Sequence, residues 1–358
     1  MGSFGIARRL VGMAVTIGML VGCGTAARLA TADSGDLKGL AQARKTMSLW
    51  VMPDAGITPL ISALTAAQKS IRIELYMLTD HDATAQIVQT LVDRAKAGVD
   101  VEVILEAKPY IPPAPPSCQP DPASSDVNGE AIKALLAGGV KVKRSSPKFK
   151  FTHEKAMVID GTTAYIMTCN WSNSAFVSNR EYVILDRDST DVGEVLKIFQ
   201  ADWDETAYHA QAPNLVVSPD NSRQKILALI DGAKKSLIVE SEYLSDPEVA
   251  QHLGARAKAG VNVVVMLSYQ PKDPCSGNDT NAQEKQLLAQ NGIGSVAFTQ
   301  TVTMHAKAIV ADGAIAYVGS ENFTANSLDN NREMGVLVRD PGILSTLTAT
   351  ANRDWASR

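Results

Sequence analysis

The sequence predicts an α/β protein made of two similar α/β sandwich domains related by a pseudo-twofold axis. Three observations carry this. A block holding His153, Lys155, Asp160, Gly161, Asn170 and Glu181 returns as His305, Lys307, Asp312, Gly313, Asn322 and Glu333, at one constant offset. The register also holds at Tyr165/Tyr317, Leu185/Leu337, Asp202/Asp354 and Trp203/Trp355, positions that need no chemistry, so the repeat is structural. Earlier, Arg94-Ala-Lys96-Ala-Gly98-Val99 returns as Arg256-Ala-Lys258-Ala-Gly260-Val261. Each copy reads as a helix end with a left-handed glycine cap, leading into a Val-rich strand at 99–105 or 261–267. Finally, Val51-Met-Pro53-Asp54 and Ile71-Arg-Ile73-Glu74 return as Val217-Ser-Pro219-Asp220 and Leu237-Ile-Val239-Glu240. Each half therefore runs strand, helix, strand, then helix and a hairpin, the order of an α/β sandwich.

Taken in order, the chain opens with Arg8 and Arg9 ahead of an apolar run from Leu10 to Val21. The run is too short to span a bilayer and suits the core of a secretory signal. It ends in Leu20-Val21-Gly22-Cys23, which resembles a bacterial lipobox. That resemblance implies a signal peptide over 1–22 and Cys23 as the lipidated first residue. It further implies a lipoprotein of the bacterial cell envelope on the periplasmic face of a membrane. Gly24 resembles the residue found there in lipoproteins sorted to the outer membrane. The plainer alternative is a cleaved signal with an incidental cysteine. Residues 23–46, small and polar, read as a linker. The first domain is then expected over 47–212 and the second over 213–358.

The chain carries 34 Lys+Arg against 38 Asp+Glu, and residues 1–22 contribute two arginines and no acid. A mature chain would be more acidic still, which is not the balance of a protein that grips long nucleic acid by neutralising phosphates. Aromatic residues are only 5%, which argues against a stacking platform for single-stranded bases.

Between the repeated strands lie two distinctive loops. Residues 109–122 hold seven prolines around Cys118, and Pro271-Lys-Asp-Pro274-Cys275 is the counterpart. Both follow the C-terminal end of an inner strand, where open α/β sheets place their sites. They read either as a pair of rims on a cleft or as surface loops without special role. Lys141, Lys143, Arg144, Lys148 and Lys150 crowd the approach to His153. Such a run is usually a solvated face, with a one-sided anion funnel as the functional alternative. His81-Asp82 and His209 lack the spacing of metal ligands and read as surface histidines. Cys169 reads as an inert small hydrophobe.

The chemistry concentrates at His153-x-Lys155 and His305-x-Lys307. Residues two apart on a strand share a face, so each segment is expected to present an imidazole and an ammonium together. Asp160-Gly161 and Asp312-Gly313 are hairpin turn signals. These residues resemble the phospholipase D superfamily, whose signature is His-x-Lys, four residues, Asp, then Gly-Ser-x-Asn. The second copy matches in full through Gly319, Ser320 and Asn322. The first has Met167-Thr168 in place of Gly-Ser. Thr168 keeps a hydroxyl, whereas Met167 raises the prospect of crowding near His153.

The resemblance implies the phospholipase D fold with one active site at the seam of the two halves, and no metal or other cofactor. Lys155, Lys307, Asn170, Asn322, Thr168 and Ser320 would hold the substrate phosphate. One histidine would attack phosphorus, and the other would protonate the leaving oxygen. Glu181 would serve His153 and Glu333 would serve His305, while Asp160 and Asp312 would be structural props. The expected function is a metal-independent phosphodiesterase acting on phospholipid, by hydrolysis or phosphatidyl transfer. Two alternatives stay open: an endonuclease of the same superfamily acting on DNA or RNA, and a catalytically impaired phosphate-binding lipoprotein. The expected state is a monomer with an internal pseudo-dimer, attached to the membrane through Cys23.

An exported chain sits in an oxidising compartment. Beyond Cys23 it holds Cys118, Cys169 and Cys275. Cys118 and Cys275 occupy corresponding loops, which would face each other if the halves pack about an axis through the site. A Cys118–Cys275 disulfide is therefore expected, with Cys169 free. Loops lying on opposite outer edges would forbid it.

Overall fold

The computed structural model describes residues 46–119 and 126–358. The signal peptide, Cys23 and the linker lie outside the described residues. In the first half, β1 (Met47–Met52) leads through α1 (Thr58–Ala66) to β2 (Ser70–Leu75). Then come α2 (Ala85–Lys96), β3 (Asp100–Leu105), α3 (Gly129–Ala137) and β4 (Lys141–Arg144). The hairpin β5 (Lys155–Ile159) and β6 (Thr163–Met167) is followed by α4 (Asn173–Val177), β7 (Asn179–Asp186) and α5 (Ser189–Trp203). The second half repeats this plan: β8 (Leu215–Ser218), α6 (Ser222–Gly232), β9 (Ser236–Ser241), α7 (Pro247–Lys258) and β10 (Asn262–Ser268). It continues with α8 (Thr280–Gln290), β11 (Val296–Thr299), the short β12 (Thr303–Met304), β13 (Ala308–Ala311) and β14 (Ile315–Gly319). It closes with α9 (Ala325–Asp329), β15 (Glu333–Val338) and α10 (Pro341–Ala356).

The two mixed sheets share one strand order. The first runs β1-β7-β6-β5-β2-β3-β4 and the second, read from the other end, β8-β15-β14-β13-β9-β10-β11. Strands β2, β3 and β4 are parallel, as are β9, β10 and β11, each joined by a crossover helix. The remaining neighbours are antiparallel, except that β12 of the second half pairs in parallel with β7 of the first. Gly98 and Gly260, at φ +90° and +89°, end α2 and α7 in the left-handed region and turn the chain into β3 and β10. The hairpin turns place Asp160 and Gly161, and Asp312 and Gly313, at positive φ, the backbone twist that suits tight hairpins.

Three apolar clusters explain why the strands read as continuous hydrophobic runs. Met157 and Ile159 of β5 face outward onto α1, α2 and α3, while Ala156 and Val158 face a second cluster shared by both sheets. The second sheet does likewise: Ile309 and Ala311 pack under α6 and α7, whereas Ala308 and Val310 join the shared cluster. Helices α5 and α10 complete that shared core, capped by Asp188 and Asp340, whose carboxylates accept backbone N–H groups of the first turn. Burial on both faces is the expected setting for such strands.

Charged pairs cross the seam in a reciprocal pattern. Arg180 of β7 bonds Asp354 of α10 at 2.6 and 2.9 Å and also donates to the Met52 carbonyl. Arg332, at the matching place before β15, bonds Asp202 of α5 at 2.7 and 3.1 Å and the Ser218 carbonyl at 3.2 Å. Each arginine is 2% exposed. At the rim, Cys118 and Cys275 form a disulfide with α-carbons 5.2 Å apart, and Cys169 is a buried free thiol. Among the described residues no helix is long and apolar enough to cross a membrane.

Candidate active site

The site forms where each His-x-Lys segment meets the other half. Neither segment lies within a strand, contrary to expectation: Lys155 begins β5, and residues 305–307 fall between β12 and β13. Each is instead held by a bridge to the opposite repeat. Thr152 pairs with Arg332, and His153 N–H donates to the Arg332 carbonyl at 2.8 Å. Thr303 and Met304 pair with Asn179 and Arg180, and His305 N–H donates to the Arg180 carbonyl at 3.2 Å.

These bridges correct the expected pairing of the glutamates. Glu333 lies beside His153, with its carboxylate oxygens 2.8 and 2.9 Å from Nδ1. Glu181 lies beside His305, with Oε1 2.7 Å from Nδ1. Each histidine is thus served by the glutamate of the other repeat. The reason is topological: the strand that carries each glutamate starts where the other half's His-x-Lys segment docks. Both glutamates are fully buried. Burial raises the Glu181 pKa, but His305, Lys307 and the Thr168 hydroxyl outweigh it and hold the carboxylate below its ordinary value.

A second correction concerns Thr168 and Ser320, expected on the phosphate. The Thr168 hydroxyl donates to Glu181 at 2.5 Å and accepts from Tyr182 N–H at 2.9 Å. Ser320 donates to Glu333 at 2.7 Å and accepts from Met334 N–H at 3.0 Å. A hydroxyl has one proton, and here it is given to the glutamate. Asn179 and Asn331 add amide contacts to the same carboxylates at 3.4 and 3.0 Å. Met167 is 1% exposed and packs in the outer core of the first half. Its counterpart Gly319 has a different cause. A Cβ there would collide with the Gly335 backbone and the Tyr317 hydroxyl.

Lys155 and Lys307 are both 0% exposed. Each ammonium donates back to the carbonyl of its own histidine, at 2.7 and 2.6 Å. Burial lowers the Lys155 pKa to about 8, against the pull of Glu333, with the Lys307 charge adding to the fall. Charges from both halves therefore act on one lysine. Burial also lowers His153 below its ordinary value, with Glu333 opposing and Lys155 assisting. Asn170 lies two residues beyond Thr168 with its Oδ1 buried and, among the described residues, without a hydrogen-bond partner, whereas Asn322 Oδ1 accepts from Tyr243 N–H at 3.3 Å. Asp160 and Asp312 lie at the far ends of the hairpins. They accept backbone N–H groups of 68–70 and 234–236 and touch neither histidine.

Residues missed in the sequence complete the environment. Tyr76 stands edge-on to His153 with ring centroids 4.6 Å apart, and its hydroxyl accepts from Tyr110 N–H of the disulfide-bonded loop. At the corresponding place, one residue beyond β9, stands Glu242. Its Oε2 lies 3.2 Å from His305 Nε2, 3.1 Å from Lys307 Nζ and 3.2 Å from Asn322 Nδ2. The only signal was that Tyr76 and Glu242 break the repeat just after a matched strand. Outside the site, Lys141 pairs with Asp100 and Glu102, and Arg144 pairs with Asp126. Lys143 and Lys148 donate to the carbonyls of Trp203 and Thr206, so most of the basic run is a locally satisfied face. His81 and His209 pair with Asp82 and Asp220 at the surface. Among the described residues no cluster of His, Cys, Asp and Glu is arranged to hold a metal ion.

Known proteins resemble this chain over most of its length. The chain matches the family described as "Cardiolipin synthase, PLD-like domain" twice, over residues 60–203 and 226–355. A cardiolipin synthase of Clostridium perfringens (strain 13) is 22% identical over 346 residues, covering 85% of this chain and 69% of that protein. A probable cardiolipin synthase of Bacillus subtilis (strain 168) is 24% identical over 331 residues, covering 82% of this chain and 63% of that protein. Phosphatidylserine synthase of Haemophilus influenzae shares the fold with a TM-score of 0.64 at 13% identity, covering 89% of this chain and 87% of that one. A polyphosphate kinase of Porphyromonas gingivalis also gives 0.64, at 17% identity, over 86% of this chain and 47% of that one. With two matched copies of the domain and one composite site between them, the chain belongs to the phospholipase D superfamily.

Proposed function

We propose that this chain is a phosphodiesterase and phosphatidyl transferase acting on phospholipid through a covalent phosphohistidine. The observation that carries the reading is the crossed arrangement: His153 on Glu333, His305 on Glu181, with two buried lysines beside them. A diester is anionic, and two ammonium groups and two amides supply compensating charge and orientation. The cardiolipin synthase relatives and the acidic net charge favour a lipid over a nucleic acid.

The two imidazoles differ in a way that suits different roles. His153 gives Nδ1–H to Glu333, and among the described residues no carboxylate faces its Nε2. A neutral ring with a free Nε2 lone pair is a nucleophile, and the lowered pKa of His153 keeps it neutral. His305 has a carboxylate on each nitrogen, which suits a ring protonated on both. In the first step His153 Nε2 attacks phosphorus. The bond to the leaving oxygen breaks, and His305 Nε2–H protonates that oxygen. In the second step His305 takes a proton from water or an alcohol. The acceptor oxygen then attacks phosphorus, and the P–N bond breaks to free His153. With an alcohol acceptor the result is transfer, and with water it is hydrolysis. Lipidation at Cys23 would hold the enzyme on its substrate surface, and Cys23→Ser should move it out of the membrane fraction.

The test offers purified protein phosphatidylcholine with ethanol, phosphatidylglycerol vesicles, and plasmid DNA, each in chelator. Phosphatidylethanol or a transfer product supports the proposal. Nicked DNA with no lipid product overturns it in favour of a nuclease, and no product from any substrate supports an impaired binding protein.

A further inference from the structure

Around the histidines the two halves of the site part most sharply at the residue that follows β2 and β9. In the first half this is Tyr76, which packs an aromatic ring against His153, and among the described residues no anion faces the Nε2 side. In the second half it is Glu242, and a single carboxylate oxygen contacts His305 Nε2, Lys307 Nζ and Asn322 Nδ2, all within 3.1–3.2 Å. An imidazole, an ammonium and an amide converging on one oxygen is the donor set that the mechanism requires for a phosphate oxygen. Unlike Glu181 and Glu333, which are sealed at 0% exposure, the Glu242 side chain is 18% exposed and can leave this position.

We propose that Glu242 is the specificity-determining residue of the site: its carboxylate stands where a phosphate oxygen binds, so that an entering ligand must displace it and then share the site with its charge. This rests on the phosphate-binding reading above and goes beyond it by naming which phosphates are admitted. A displaced Glu242 carboxylate stays on the short tether of its side chain and repels what replaces it. That repulsion scales with ligand charge. A phosphodiester carries one negative charge and tolerates it, whereas a phosphomonoester carries two and is disfavoured. The site thereby selects diesters over the monoesters that hydrolysis leaves behind, which limits inhibition by the hydrolytic product. His305 is freed to protonate the leaving oxygen only once a diester has taken the carboxylate's place.

The test measures binding of two small probes, dimethyl phosphate and methyl phosphate, by calorimetric titration of the purified protein. The pH is one at which methyl phosphate is a dianion. Glu242→Gln keeps the size and can still accept from Lys307 and Asn322. It should tighten methyl phosphate by about tenfold, or about 1.4 kcal/mol, and dimethyl phosphate by clearly less, since the repulsion removed scales with ligand charge. Glu242→Asp keeps the charge and should keep the wild-type ratio of the two affinities. The proposal is overturned if Glu242→Gln moves both probes equally, weakens both, or leaves both undetectable, or if Glu242→Asp raises the ratio as Gln does. A failure of the lipid proposal looks different: the probe ratio moves as stated while no lipid is turned over.

Discussion

The two halves of this protein have one scaffold and two chemistries. Both present His-x-Lys ahead of a hairpin, a hydroxyl that holds a glutamate, and an aspartate that ties the hairpin end. Around the histidines they part. His153 has one carboxylate and an aromatic edge, whereas His305 lies between Glu181 and Glu242. Duplication supplies symmetric positions, but an attack followed by a proton transfer needs a nucleophile and an acid. The difference resides in the residue after one strand, while the shared parts are buried. A further lesson comes from the crossing: neither half holds a complete histidine–glutamate pair of its own.

Substitutions can break this comparison at its strongest point first. His153→Ala should abolish turnover and any covalent label, because no other group replaces the nucleophile. His305→Ala removes acid–base assistance and should cost about 10²–10⁴-fold in rate. With a p-nitrophenyl phosphodiester, whose leaving group needs no proton, the same variant should accumulate phosphohistidine at His153. Peptide mapping that finds the label on His305 of the His153→Ala protein would reverse the assigned roles.

The next largest effect is on stability across the seam. Arg180→Ala strands the buried Asp354 carboxylate, and Arg332→Ala does the same to Asp202. Breaking a buried pair on one side costs about 3–5 kcal/mol, and chemical denaturation should show similar losses for both variants. A much smaller loss for one of them would mean that the halves are not held reciprocally.

Smaller still is the cost of the hydroxyls. Thr168→Val leaves Glu181 short of a buried donor, a loss of about 1–3 kcal/mol, so activity should fall by about 5- to 150-fold. Thr168→Ser should be close to wild type, and Ser320→Ala should match Thr168→Val. The mildest effect is on pH dependence. Lys155 must be protonated to receive the phosphate, and its pKa is brought down to about 8. The protonated form is lost as pH rises, so kcat/KM should fall through about pH 8. Lys155→Arg, which cannot deprotonate in this range, should remove that alkaline limb even if it lowers the plateau.

Much of this was legible in the sequence because the repeat reports on itself. Matching Gly98 with Gly260, and Asp160-Gly161 with Asp312-Gly313, located helix ends, strands and hairpins without any tertiary information. The crossed glutamates were not legible, since a repeat aligns His153 with Glu181 of its own half. The contact that decides the pairing, Thr303 with Asn179, joins residues far apart in the chain. The family motif suggests Thr168 and Ser320 as phosphate ligands, since a hydroxyl near a catalytic lysine suits that role. Their places, directly across the ladder from the glutamates' strands, show the other use. The sequence does not say which face Met167 occupies, and the structure places its side chain in the outer core. Glu242 is not legible from the repeat, because it stands at a mismatch between the two copies.

The central claim is that each histidine is held by the glutamate of the opposite half, and nitrogen NMR on protein labelled with ¹⁵N-histidine tests it most directly. In Glu333→Gln the Nδ1 resonance of His153 should move while that of His305 stays, and in Glu181→Gln the reverse should hold. Movement of His305 on changing Glu333, with His153 unaffected, would contradict the crossed site.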